Sequence, residues 1–121
     1  MATILLVDDE PWVAEEFAKL LPNHALLCAH TVNDGRALFK KHRHSIDLIL
    51  FDGYMDSKDP SPTTLGLIAE IRALSFERPM VAISRDLGMR SKQLNHGCTS
   101  AINKTPLERL AAHVAAQLAM K

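Results

Sequence analysis

Short apolar runs alternate along the chain with stretches whose apolar residues recur every three or four positions. Ile4-Leu5-Leu6-Val7, stopped by Asp8-Asp9, predicts a strand buried on both faces. Pro11 opens a helix that Asp9 can cap, with Val13, Phe17, Leu20 and Leu21 on its inner stripe, and Pro22-Asn23 ends it. Ala25-Leu26-Leu27-Cys28-Ala29 predicts the second strand. Asn33 or Asp34 then caps a helix that turns Ala37 and Leu38 inward. Leu48-Ile49-Leu50-Phe51, ending on Asp52, is the most clearly marked strand. Residues 56–64 are too rich in turn formers for regular structure and predict a mobile loop beside the third strand's end. Leu67, Ile68, Ile71 and Leu74 mark the third helix, and Met80-Val81-Ala82-Ile83 the fourth strand. A polar helix over about 88–95 stops at Gly97, and Ser100-Ala101-Ile102 is a weak fifth strand. Thr105 as N-cap, Pro106 in the first helical position and Glu108 completing a capping box start the last helix. Its inner stripe is Leu107, Leu110, Ala111, Val114 and Leu118.

Five strand-then-helix units with buried strands imply an α/β fold: a doubly wound, five-stranded parallel sheet with five helices on its two faces. No repeat or linker divides the chain, so residues 1–121 read as one domain. Lys plus Arg (14) balances Asp plus Glu (14), which argues against nucleic acid, whose binding needs a basic excess. No apolar stretch reaches membrane-spanning length, and Met1-Ala2-Thr3 leads into a strand rather than a signal sequence. A cytoplasmic protein is the expectation. Cys28 and Cys98 lie in no CxxC or zinc-like spacing and read as small buried hydrophobes without a disulfide. The basic run from Arg36 to His44 reads as the solvated face of the second helix, with contact to an acidic partner as the alternative.

In sheets of this kind ligands bind at the carboxyl ends of the strands. There the chain carries Asp8-Asp9-Glu10, Asp52, Ser84 and Asn103-Lys104. Clustered carboxylates repel one another and recruit a hard cation; oxygen donors without Cys or His suit Mg2+. A lysine and a hydroxyl beside them suit an anion brought in with the metal. The set reads as a phosphoryl site in which one carboxylate is the nucleophile. None of the six histidines falls at this rim, so a zinc or histidine-base site has little support. Trp12 stands near the acidic pair and offers an optical probe.

The acidic pair of ILLVDDEP, the Asp closing DLILFDGYM, the hydroxyl closing VAIS and the Lys-Thr-Pro of AINKTPLERL together resemble the response-regulator receiver domain of two-component signalling. Order and spacing agree from Thr3 to Leu118. The resemblance implies a flavodoxin-like strand order 2-1-3-4-5 and a phosphoacceptor role for Asp52. It further implies Asp9 as a direct Mg2+ ligand, Asp8 acting through water, the backbone carbonyl of Tyr54 completing the metal shell, and Ser84 and Lys104 on the phosphoryl oxygens. The partners it implies are a histidine kinase or histidine phosphotransfer protein and an unknown downstream protein target. In that strand order Cys28 and Cys98 sit four strands apart, roughly 19 Å and far beyond disulfide reach.

Four features depart from the family pattern. Ala101 stands where an aromatic is usual, Arg85 where a small residue follows the hydroxyl, and Asp56 where a proline is usual. The loop from Asp52 to Gly66 is also about half a dozen residues longer. The acceptor residues are complete and the transmission residues altered, so a receiver-like interaction module acting without phosphorylation is the alternative function. A haloacid-dehalogenase-type phosphatase would need a second Asp where Tyr54 stands. No output domain follows the last helix here, so the expectation is a domain that docks onto a partner or a piece of a longer chain.

Overall fold

In a computed structural model, which describes residues 1–56 and 58–120, the chain alternates strand and helix throughout. The strands are β1 (Thr3–Val7), β2 (Ala25–Ala29), β3 (Leu48–Phe51), β4 (Met80–Ala82) and β5 (Ser100–Ala101). The helices are α1 (Pro11–Leu20), α2 (Val32–His42), α3 (Leu65–Ala73), α4 (Leu87–His96) and α5 (Leu107–Ala119). The sheet is parallel in the order β2-β1-β3-β4-β5, as expected. β3 is buried throughout because helices cover both its faces. Leu5, Val7, Ile49, Phe51, Met80 and Ala82 point to the side of α2 and α3; Ile4, Leu6, Leu48, Leu50 and Val81 point to that of α1 and α5. The two cysteines are free, and their strand neighbourhoods lie toward opposite edges.

The helix starts differ in detail from the sequence pattern. α1 begins after Glu10, not Asp9, and Glu10's side chain gives no cap because it is engaged elsewhere. Thr31, rather than Asn33 or Asp34, caps α2 by accepting from the Asp34 N–H at 3.0 Å. That start turns Val32, Gly35 and Phe39 into the core, leaving Leu38 partly buried and Ala37 exposed. Leu74 lies just past α3 and is exposed rather than inward. At α5, Pro106 holds the N-cap position, so Thr105 falls one residue too early to cap and instead bonds Asn103 Oδ1. Asp86 caps α4 through the Met89 N–H, and Gly97 ends it at φ 136°, a region that glycine occupies without strain.

The loop after β3 carries backbone pairing of its own among the described residues. Tyr54 pairs antiparallel with Thr63, flanked by Met55 N–H to Pro62 O (2.8 Å) and Thr64 N–H to Gly53 O (3.1 Å). Asp59 reaches across to accept from the Val32 N–H at 3.0 Å, a second cap on α2. Thr64 is fully buried, and Ser57 alone of the 56–64 stretch lies outside the described residues.

Candidate functional site

The carboxyl ends of β1, β3 and β4, with the turn after β5, converge on a cavity of about 270 Å³ lined by Asp9, Glu10, Asp52, Tyr54, Ser84, Arg85, Asp86 and Lys104. Asp8 lies beneath it, buried at 1% exposure. Asp8, Asp9, Glu10 and Asp52 each place a carboxylate oxygen within 4.8 Å of the others. The sheet order explains this: β1 and β3 are adjacent, so residues one step past Val7 and Phe51 are neighbours in space.

Lys104 holds the cluster together. Its side chain is 1% exposed and donates to Asp8 Oδ2 at 2.7 Å and Glu10 Oε1 at 2.9 Å, with Asp52 Oδ2 at 3.5 Å. Burial works against its charge, but the bonds to Asp8 and Glu10 outweigh it and raise its pKa above the ordinary lysine value. Asp8 also accepts from the Glu10 N–H at 2.9 Å; burial still pushes its carboxyl upward against the pull of Lys104. Asp52 is pushed up to about 7, first by burial and then by the charge of Asp8, despite Lys104 and the Gly53 N–H that bonds Oδ1 at 2.8 Å. Four carboxylates against one buried ammonium leave a demand for further positive charge. The hard oxygen donors fit a divalent cation such as Mg2+, with Asp9 and Asp52 facing the cavity and Lys104 already occupying one side of Asp8.

The walls are tightly drawn. A side chain at Gly53 would place its Cβ 2.2 Å from Met89 Cγ and 2.8 Å from Ser84 Oγ, so only glycine fits there. Ser84 is 2% exposed; its hydroxyl accepts from the Asp86 N–H at 3.1 Å, and its carbonyl accepts from Arg90 at 2.7 Å. Thr64 Oγ1 donates to the Asp52 carbonyl. Gln93, fully buried on α4, donates from Nε2 to the carbonyls of Phe51 (3.0 Å) and Asp52 (3.1 Å), while its Oε1 has no partner among the described residues.

The structure thus brings together Asp8, Asp9, Asp52, Tyr54, Ser84 and Lys104, the residues singled out in the sequence. Two roles escaped that reading, that of Glu10, which was placed at the rim without one, and that of Gln93. Glu10, passed over as part of an acidic run, is the second partner of Lys104 and also binds Arg85 and Trp12. Gln93 had a visible signal: it stands four residues after Met89 on the inner face of α4, where a polar residue needs a buried partner.

No protein-family profile matches the chain, and no curated protein matches it. Solved structures do. A response regulator receiver domain protein from Clostridium thermocellum superposes with TM-score 0.83 at 20% identity, covering 99% of this chain and 96% of that one. A CheY-like receiver domain protein from Methanospirillum hungatei JF-1 gives 0.80 at 22%, covering 99% and 95%. The receiver domain of the Francisella response regulator 1452 gives 0.79 at 18%, covering 99% and 98%. With its sheet order and five helices, the chain has the flavodoxin-like fold of response-regulator receiver domains.

Proposed function

We propose that the protein is a phosphoacceptor signalling switch of a two-component phosphorelay, taking a phosphoryl group onto Asp52 from a histidine kinase or histidine phosphotransfer protein in the cytoplasm. One observation carries the reading: a strand-end carboxylate at 7% exposure stands 3.5 Å from a buried ammonium, inside a four-carboxylate cluster that opens on a cavity. A carboxylate oxygen of Asp52 attacks phosphorus, the P–N bond of the phosphohistidine breaks, and the imidazole leaves. Mg2+ supplies the positive charge that lets a dianionic group approach these carboxylates. Asp9, Asp52 and the Tyr54 carbonyl are the residues to hold it, with Asp8 acting through water. The Ser84 hydroxyl and Lys104 ammonium donate to the phosphoryl oxygens. The protein is an acceptor rather than a turnover enzyme, and its downstream target is another protein.

Intact-mass measurement after acetyl phosphate with Mg2+ tests this. The expected result is a single phosphoryl adduct, lost completely in Asp52→Asn. No adduct on the parent would leave the second reading, an interaction module acting without phosphorylation, which the Arg85–Glu10 pair on the solvent side of Lys104 favours.

A further inference from the structure

Three side chains without a role so far, Glu10, Arg85 and Trp12, are joined to one another beside Lys104. Glu10 Oε1 accepts from Lys104 at 2.9 Å and from Arg85 at 3.1 Å, and Glu10 Oε2 accepts from the Trp12 indole N–H at 2.9 Å. The Arg85 guanidinium also lies 5.8 Å from the centre of the Trp12 ring. Arg85 and Glu10 side chains are 46% and 33% exposed, whereas Lys104 beneath them is 1% exposed. An anion approaching Lys104 through the cavity therefore meets Arg85 and Glu10 before it.

We propose that Glu10 is a resident anion: it occupies the two cations of the unloaded site, Lys104 and Arg85, and an incoming phosphoryl group must displace it. The inference rests on the acceptor reading and deepens it. Glu10 mimics part of the charge that loading brings, so it keeps Lys104 and Arg85 neutralised between loadings. Once the more highly charged phosphoryl group takes over these donors, Glu10 withdraws, and with it go the acceptor of the Trp12 N–H and the guanidinium stacked on the ring. Loading is then written directly onto the environment of Trp12, the chain's single tryptophan.

Beryllofluoride with Mg2+, titrated against the full chain and followed by Trp12 emission, tests the inference. Intact mass after acetyl phosphate provides an independent measure of loading. Glu10→Gln keeps an acceptor for Trp12 but removes the competing charge, and its half-saturation concentration should fall about fivefold, the weight of a partly exposed ion pair. Arg85→Ala, compared with the parent at equal loading by its own intact mass, should lose most of the emission change; a parental emission change in that variant overturns the link from Glu10 to Trp12. A Glu10→Gln titration equal to or weaker than the parent's overturns the resident-anion role alone. A parent chain that takes up neither beryllofluoride nor phosphoryl mass overturns the acceptor reading and this inference with it.

Discussion

The two ends of the sheet are built alike and behave differently. At the amino ends of the strands, Asp47 accepts the Thr3 N–H through Oδ2 at 2.9 Å and Arg78 through Oδ1 at 2.9 Å. At the carboxyl ends, Asp8 accepts the Glu10 N–H through Oδ1 at 2.9 Å and Lys104 through Oδ2 at 2.7 Å. Each carboxylate thus accepts from a backbone amide and from a cation. The difference is water. Arg78 and Asp47 side chains are 46% and 19% exposed, while Lys104 and Asp8 are at 1% and 0%. Pairing alone makes a strand-end clamp; pairing without solvent, with three more carboxylates crowded in, makes a centre whose protons and charges are unsettled.

The largest expected contrast between the two ends is in stability. Lys104→Met should destabilise the metal-free protein at pH 8 by about 3–5 kcal/mol, because it strands buried carboxylates. Arg78→Met should cost less than about 1 kcal/mol, as exposed pairs do. Urea midpoints measure both, and similar losses would erase the comparison.

A smaller effect comes from pH. Asp52 binds its proton more tightly in the folded state, at about 7 against an ordinary 3.8. The stability it contributes is therefore fully present below about pH 4 and is lost as pH rises through 7. Asp8 is shifted in the same direction, while the lowered Glu10 and raised Lys104 act outside the window from pH 5 to 8. The metal-free protein should lose about 2–3 kcal/mol between pH 5 and 8, and Asp52→Asn should flatten most of that slope. A parent curve that rises over this interval would place the crowding elsewhere. Smallest is the effect of Mg2+: at tenfold its dissociation constant it should restore about 1.4 kcal/mol at pH 8, and Asp9→Asn should abolish the gain. Thermal unfolding with and without the ion would show it.

The strands were legible because both faces of β1, β3 and β4 are covered, which writes each as an unbroken apolar run. Their order came through the resemblance that the strand-end acids carry, and those acids stand out because each ends an apolar run. Helix starts were less legible. Thr31, Asn33 and Asp34 are all competent caps by composition, and only the packing of Val32 and Phe39 chooses among them. Contacts between distant segments left the faintest mark. Nothing in local spacing joins Glu10 to Arg85, 75 residues later, or Gln93 to the carbonyl of Asp52.

Asp59 carries a consequence for the order in which the molecule is made. It caps α2 from 27 residues downstream, so a growing chain completes that helix in sequence well before its second cap exists. Until Asp59 emerges, the first turn of α2 has Thr31 as its side-chain cap, and closing the connecting segment carries the entropy of a long loop. The full capping of the helix thus needs β3 and the loop that follows it to be in place. In this chain α2 is thereby tied to the segment that follows β3, which brings its second cap from the far side of the strand.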